Sequence, residues 1–495
     1  MTDTIDALIR LHAQAQPGKP MVIDPDQQLS YAELDAGTQE LAAAFVAAGV
    51  GKGARVGLIM PNSVEWVRIA MALTRIGAVL VPLSTLLAAP ELGAQLRVAS
   101  VQYLITVEEF RGHRYLADLS TVRADLPALR VVWTADQLPS GAGPGGIDAV
   151  TAAVTPSDTL AIMFTSGSSG PPKGVIHSHG NALRAVRSGL SARCVDADTR
   201  LYLPMPFFWV GGFGSGILTA LSAGATLVTE QIPRPETTLR LVERERVTLF
   251  RGWPDQAEAL ARQSGAVGAD LSSLRPGSLE ALLPAEQRAE PGARAKLLGM
   301  TESFGPYCGF RADTDMPRSA WGSCGKPFEG MQLRIVDPDT GEPVPAGTIG
   351  MIQLRGPHMM RGICRRSREE LFTPDGYYPT GDLGHLDDDG FLFFHGRSDD
   401  MFKVSGATVY PSEVEQALRT IDGVDNACVA EVYGAVGAIV VGDVTVDQLR
   451  AAARDRLSAF KVPTVWLLVS SDDDIPRKAT GKVDVAKVRA LLAAQ

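Results

Sequence analysis

The chain has 495 residues, 45% apolar and 21% charged, and its 47 basic and 56 acidic side chains leave a net charge of −9. At roughly 150 residues per domain this length allows about three units with sizeable cores, and the composition excludes a disordered chain. The acidic balance gives no electrostatic case for nucleic acid or an anionic membrane as a partner. In chain order, residues 1–20 mix acids with Arg10 and lack the apolar stretch of a signal peptide. Ser30-Tyr31-Ala32-Glu33 has the pattern of a capping box, with Ser30 at the N-cap, and predicts a helix to about residue 48. Residues 55–60 read as a buried strand, 63–76 as a helix and 78–83 as a strand, which suggests βαβ units on a largely parallel sheet. The most apolar stretch, 69–90, carries Arg75, Pro82 and Pro90, so it reads as strand and helix pieces and not as a membrane span. Residues 140–146 form a turn-rich loop, and 161–164, 201–203 and 226–228 are further strands.

After about Arg397 the pattern restarts. Residues 401–404 read as a strand, Ser412-Glu413-Val414-Glu415 as a second capping box opening a helix, and 427–432 and 438–441 as strands. Residues 447–460 read as an amphipathic helix closed by Pro463. The expected class is α/β. A large N-terminal multi-sheet body, residues 1–397, precedes a small mobile C-terminal α+β domain, residues 398–495. Cys194, Cys308, Cys324, Cys364 and Cys428 are sparse, odd in number and show no CxxC pair. Neither a disulfide framework nor a zinc knuckle is expected, and the setting is reducing and cytoplasmic. His177 and His179 would share one face of a strand, but no third ligand accompanies them, so they read as loop or strand histidines.

The segment richest in chemistry is Thr165-Ser166-Gly167-Ser168-Ser169-Gly170-Pro171-Pro172-Lys173-Gly174, directly after an apolar run. Glycines let the backbone approach an anion, exposed amides and hydroxyls can cradle phosphates, and Lys173 adds a mobile positive charge. It is not a Walker A loop, because Gly174 stands where that loop has its magnesium-binding Ser or Thr.

A series of further motifs follows. It comprises Leu203-Pro204-Met205-Pro206-Phe207-Phe208-Trp209-Val210-Gly211-Gly212, Gly299-Met300-Thr301-Glu302, Tyr378-Pro379-Thr380-Gly381-Asp382 and Gly396-Arg397-Ser398-Asp399-Asp400. Lys403-Val404-Ser405-Gly406, Tyr410-Pro411-Ser412-Glu413 and Ile475-Pro476-Arg477-Lys478-Ala479-Thr480-Gly481-Lys482 complete it. In this order the set resembles the ANL superfamily of adenylate-forming enzymes, which includes acyl-CoA synthetases, peptide-synthetase adenylation domains and luciferases. The resemblance implies the ANL fold and a two-step reaction, in which a carboxylate attacks the α-phosphorus of ATP and a second nucleophile then takes the acyl group.

By resemblance, Thr165, Ser166, Gly167, Ser168, Ser169, Gly170 and Lys173 hold the departing phosphates. Glu302 holds Mg²⁺ with Thr165, Thr301 meets the α-phosphate, and Asp382 takes the ribose hydroxyls with Arg397 assisting. Lys482 reaches the carboxylate and α-phosphate during adenylation. Asp399 is the hinge, and Lys403, Ser405 and Gly406 border the channel for the acceptor. The acid pocket is expected from Phe207, Phe208, Trp209, Val210, Gly211, Gly212, Phe213, Phe304, Gly305 and Tyr307. Aromatic walls with no obvious basic residue favour an apolar acid, cyclic or of medium length.

The implied substrates are a small carboxylic acid and ATP, with Mg²⁺ and with CoA as acceptor, in a monomer or homodimer. An amine or amino acid, as in coronafacate-ligase-type amide synthetases, and a carrier-protein pantetheine are the alternative acceptors. A non-catalytic nucleotide binder is a further class. The sequence departs from the family in three places: Leu298 stands where an aromatic residue stacks on adenine, Arg275-Pro276-Gly277-Ser278-Leu279 occupies the place of the Gly-Gly-Ala segment, and Trp209 replaces a histidine. Residues 431–441 are shorter than usual, which suggests a trimmed small domain.

Overall fold

The computed structural model describes residues 3–141, 146–165, 172–398, 401–404, 407–457, 459–477 and 483–495, with only the backbone at Asp255, Lys403, Ala407 and Thr408. The chain groups into two compact units. One is Met1–Gln332 with Arg355–Gly376, and the other is Leu333–Leu354 with Tyr377–Gln495.

The first unit is built on two sheets. In the larger one, the strands Val131–Thr134, Tyr103–Thr106, Arg55–Ile59, Val79–Pro82 and Thr159–Phe164 run parallel. Gly174–Ser178 and then Gly362–Ile363 add antiparallel at the Thr159–Phe164 edge. The helices Val64–Arg75, Ala89–Val98 and Tyr115–Val122 make the crossovers. Alternate residues of each strand enter different cores. Val56, Leu58, Leu80, Ile105, Ala161 and Met163 face one, and Ile59, Val79, Val81, Leu104, Ile162 and Phe164 face the other. Both faces are therefore covered, which explains why these strands read as continuous apolar runs.

The second sheet places Leu249–Phe250, Arg200–Tyr202, Thr226–Val228 and Pro20–Ile23 in parallel, with Gln28–Ser30 antiparallel at the edge. Leu201, Leu227 and Leu249 share the first core with Trp66, Phe207 and Phe213. The Trp66 ring lies 5.3 Å from Phe207 and 5.9 Å from Phe213. The expected capping box holds: Ser30 N donates to Glu33 Oε2 at 2.8 Å, and Glu33 N donates to Ser30 Oγ at 3.2 Å, opening the helix Tyr31–Ala47. The apolar stretch 69–90 is helix and strand, and Arg75 within it is fully buried with its guanidinium 2.5 Å from Asp6 and 2.9 Å from Asp35. Among the described residues no helix is long and apolar enough to cross a membrane.

The second unit carries a four-stranded sheet, ordered Gln332–Val336, Gly350–Arg355, Tyr378–Leu386 and Leu392–Arg397. It continues with the hairpin Phe402–Val404 and Ala407–Val409, then the sheet Val424–Val432, Ala435–Gly442 and Val465–Val469. On that sheet Ala427, Val429, Ala438 and Val440 face the helices Pro411–Arg419 and Val446–Arg454, while Cys428, Ala430, Ile439 and Val441 face the helix Val485–Ala493. The first two strands are joined by Tyr433 and Gly434 alone, with φ of 51° and 76°, the backbone of a primed hairpin turn.

Two sequence expectations need correction here. The helix expected to open with Ser412 at its cap begins at Pro411, with Tyr410 at the cap. Proline suits the first helical position, so Ser412 falls inside the turn and its hydroxyl donates to His395 O at 2.5 Å. The helix expected over 447–460 spans only Val446–Arg454, with a separate turn Ala459–Lys461. Its true cap is Thr445, paired with Gln448 in a capping box.

Candidate active site

The first unit brings two expected site segments onto one scaffold. Strands Thr159–Phe164 and Gly174–Ser178 form an antiparallel pair whose open end carries the phosphate-loop motif, and Thr165 N donates to Lys173 O at 3.2 Å across it. Lys173 is exposed and Thr165 half-buried. Ser166, Gly167, Ser168, Ser169 and Gly170 lie outside the described residues. Gly174 is required by packing: a Cβ there would stand 2.9 Å from the Ile162 side chain and 3.2 Å from Cys364 Sγ.

Thr301, Glu302 and Ser303 form a tight turn between the paired strands Leu298–Met300 and Gly305–Gly309. A Cβ on Gly299 would lie 2.5 Å from the Gly305 backbone, so the two strands meet at contact distance. Phe304 and Gly305 take the left-handed region, with φ of 55° and 114°. Three bonds fix the turn. His177 shares a hydrogen bond with Thr301 O at 2.9 Å, Met360 N donates to Glu302 O at 2.8 Å, and Ser303 Oγ donates to Gly305 O at 2.7 Å. Asn181 Nδ2 donates to the other nitrogen of His177 at 2.9 Å, which fixes Nε2–H as the donor to Thr301. Burial depresses the His177 pKa to about 3, so the ring is neutral. No group of three or more His, Cys, Asp or Glu side chains that could hold a metal ion occurs among the described residues. Sequence reasoning left His177 without a role, because a histidine within a strand carries no signal of the carbonyl it meets.

Glu302 is 8% exposed. The donor set offered by Glu302 and Thr165, a carboxylate and a hydroxyl, is all hard oxygen, which fits Mg²⁺.

The aromatic string is held by Asn62, whose side chain donates to Met205 O at 2.9 Å and accepts from Phe207 N at 2.8 Å. Phe207 and Phe208 are buried, and Trp209 is half-buried with its ring 5.5 Å from Phe208 and 6.4 Å from Trp253. Gly212 is obligatory, because a Cβ there would meet Pro206 O at 2.1 Å, while a Cβ at Gly211 would meet Met205 Sδ at 2.8 Å and displace that side chain. The chain then enters a π-helical segment, Phe213–Leu218, a feature that recurs at functional sites. Phe213 packs edge-on to Phe304 at 6.1 Å, and Tyr307 is fully buried on the strand beyond.

The helix His179–Ser188, the π-helical segment and the strand Gly305–Gly309 close around Phe304, and the space between them is too small to hold a water molecule. Phe304 is the one expected pocket residue among its walls; Arg193 is the other notable one. Arg193 follows an amphipathic helix, where an arginine normally reads as surface, and no pattern in the sequence signals its burial.

In the second unit, Asp382 pairs in register with Arg397 across adjacent strands, and Arg397 Nη1 lies 3.4 Å from Asp382 Oδ1. Thr380 Oγ accepts from Asp382 N at 2.9 Å and donates to Ile352 O at 2.8 Å, so the loop end of this strand is fixed. Gly381 has φ of 76°, and a Cβ there would approach Arg397 Nη2 to 3.0 Å. Asp382 is 8% exposed while the Arg397 side chain is 45% exposed, a buried carboxylate beneath a more open guanidinium. Lys403 lies on the strand Phe402–Val404; Asp399, Ser405, Gly406 and Lys482 lie outside the described residues. Leu298 is half-buried on the turn's first strand, and Arg275 is turned away, donating to Thr199 Oγ at 2.6 Å and Cys194 O at 2.8 Å.

These pieces define an adenylate-forming enzyme: residues 9–364 match the AMP-binding enzymes, and the chain belongs to that family, within the ANL superfamily. Among its relatives, it is 34% identical to the 3-[(3aS,4S,7aS)-7a-methyl-1,5-dioxo-octahydro-1H-inden-4-yl]propanoyl:CoA ligase of Mycobacterium tuberculosis, over 99% of each chain. It is 31% identical to the indoleacetate–CoA ligase of Aromatoleum aromaticum, over 97% of each. Of solved structures, the anthranilate CoA ligase AuaEII in complex with anthranoyl-AMP matches with a TM-score of 0.84 at 25% identity, over 99% of this chain and 97% of that one.

Proposed function

We propose that this chain is an ATP-dependent carboxylic acid:CoA ligase for a cyclic or aromatic acid. A carboxylate oxygen attacks the α-phosphorus, the bond to pyrophosphate breaks, and acyl-AMP forms. The thiolate of CoA then attacks the acyl carbon, the bond to AMP breaks, and the thiol proton passes to solvent. The observation that carries this reading is the Thr301–Glu302 turn, tied by His177 to the strand that leaves the phosphate loop. The carboxylate turn is thus tied to the strand that follows the phosphate-loop motif in sequence. Full-length similarity to relatives named as CoA ligases supports CoA as the acceptor.

The first step brings two anions together, so positioning and positive charge supply much of the catalysis. Residues 165–170 and Lys173 hold the departing phosphates, and Thr301 orients the α-phosphate. Asp382, with Arg397, accepts the ribose hydroxyls. Glu302 and Thr165 hold Mg²⁺, which when bound neutralises phosphate charge. Lys482 bridges carboxylate and α-phosphate in the first step only. The two domains are residues 1–397 and 398–495, with Asp399 as the hinge and Lys403, Ser405 and Gly406 along the CoA channel. The setting is the cytoplasm: all five cysteines are free thiols, as a reducing compartment keeps them.

Mass spectrometry of products from ATP, Mg²⁺ and a panel of cyclic acids, with CoA, with amino acids or with neither, tests the proposal. An acyl-CoA is the expected product. An N-acyl amino acid with little thioester would reassign the enzyme to the amide synthetases, and no adenylate from any acid would remove the enzymatic reading.

A further inference from the structure

The strand Gly174–Ser178 is almost wholly buried, and such strand positions ordinarily take apolar side chains. His177 is an exception with no exposure at all. Every polar atom around it has a fixed task. Asn181 is 6% exposed, and its Oδ1 accepts from Ser178 N at 2.7 Å and from Ser178 Oγ at 3.2 Å. Its Nδ2 is therefore the donor to His177 Nδ1 at 2.9 Å, and it also donates to His358 O at 3.1 Å, so both amide hydrogens are used. With a lone pair held at Nδ1, the ring proton sits on Nε2 and is donated to Thr301 O at 2.9 Å. Thr301 O takes a second bond from Phe304 N at 3.0 Å, and the Phe304 ring meets His177 edge-on at 4.8 Å.

Residues 358–364 close the arrangement from a third part of the chain. Met360 N donates to Glu302 O, Arg361 N to Ile176 O and Cys364 N to Gly174 O, each at 2.8 Å. Asn181 is the node of this network, since it touches the strand through His177, the Thr301 turn through the ring of His177, and residues 358–364 through His358 O. Burial alone does not bring partners to an imidazole in this region. His179, two residues on, is fully buried with both ring nitrogens unpartnered.

We propose that His177 is a positioning residue for adenylation, with Asn181 setting its tautomer: the ring N–H holds the Thr301 carbonyl, so that the Thr301 hydroxyl and the Glu302 carboxylate stand in place when the acid attacks the α-phosphorus. This inference rests on the ligase reading and deepens it. Fully buried, the ring acts through the backbone of the turn and not on a reactant. A neutral N–H to carbonyl bond in a water-free site is strong, and it needs no reorganisation during the reaction. An apolar side chain of the same size would fill the space and leave the turn without this tether.

The test compares His177→Gln with His177→Met in the full chain. The two side chains have similar length, and glutamine presents an amide N–H where His177 Nε2 stands while methionine presents none. ATP–pyrophosphate exchange is measured with benzoate, phenylacetate and cyclohexylpropanoate, and the fastest acid is carried forward. In His177→Met kcat should fall by about 100-fold, with KM for the acid within about threefold of wild type, the scale of about 1 Å of misplacement. His177→Gln should recover kcat to within about tenfold of wild type. Stability should run the other way: the urea midpoint of His177→Met should match or exceed that of His177→Gln, because methionine buries no amide. A ring that only fills the core would give wild-type kcat per folded molecule in both. Such a result in His177→Met overturns the proposal, as does His177→Gln that is no faster than His177→Met. If His177→Met does not fold, Asn181→Ala decides: kcat at least about tenfold lower at unchanged acid KM supports the tether, and wild-type kcat overturns it. No exchange by the wild type with any acid overturns the ligase reading itself, a result distinct from exchange that is indifferent to residue 177.

Discussion

Glu302 sits on a turn whose backbone is held at three points, by His177, Met360 and Ser303. A carboxylate placed this way keeps its position whether or not a cation is near, which is the preorganisation that electrostatic catalysis needs. Glu302→Gln preserves shape and removes charge. It is expected to slow pyrophosphate exchange by about 10²–10³ and to raise the Mg²⁺ concentration for half-maximal rate. A Mg²⁺ titration of both proteins checks this, and a slower rate with an unchanged Mg²⁺ midpoint would remove the metal role from Glu302. At this scale the motif residues are legible in sequence, because a Gly-x-Thr-Glu or Thr-Gly-Asp string states its chemistry without reference to packing. Arg193 is not legible. Its burial is a tertiary fact, made possible at Gly189, where a Cβ would meet both the Phe328 ring and Arg193 Nε. His177 is similar: its type is visible, and its bond to Thr301 is a tertiary fact.

The hairpin Leu298–Met300 and Gly305–Gly309 presents Thr301 and Glu302, and its close approach leaves no room at Gly299. Gly299→Ala would force the strands apart at the point where the turn begins. Exchange activity is expected to fall by about tenfold or more while far-UV circular dichroism stays unchanged, since about 1 Å of misplacement costs about 10²-fold in such sites. A variant with wild-type kinetics would show that the turn tolerates the shift. The neighbouring strand and helix, Gly174–Ser178 and His179–Ser188, carry a different signature. Burial holds His177 at about 3 and His179 at about 4, well below the ordinary histidine value of about 6.5. Below that value the unfolded chain takes up protons that the folded chain refuses. Stability is therefore level above about pH 7 and lost progressively as pH falls toward 4, with each histidine adding up to about 1.4 kcal/mol per pH unit. Both His179 nitrogens are buried without partners, so His179→Leu should flatten this decline, as urea midpoints measured between pH 7 and about 4.5 would reveal. Element types read well from sequence where one period dominates, as in Tyr31–Ala47 and Val64–Arg75. They read poorly at Ser412 and Arg454, where a proline and an early helix end decide the boundary.

For the whole molecule, the parallel sheet of the first unit follows from apolar strands at βαβ spacing, and this was legible. The order of strands within a sheet is not legible in the same way, because alternation within a strand says nothing of its partners. The proposed two-step reaction requires one chain to serve two transition states in turn, and the motif ending at Lys482 makes this testable. Arg477 and Val483 bridge to each other, and Asp484 N donates to Pro476 O at 2.7 Å, so both flanks of the motif are anchored on the second unit. If Lys482 acts on the carboxylate and α-phosphate, its charge matters only while acyl-AMP forms. Lys482→Ala should then slow adenylation by about 10²–10³ and leave thioester formation from supplied acyl-AMP within about twofold of wild type. Single-turnover measurements of the two half-reactions separate these outcomes. Equal loss in both would mean that the lysine supports the fold or the domain arrangement as a whole, and the assignment of a first-step role would fall. Selective loss of the first step, with the second intact, is the result that a role confined to adenylation gives.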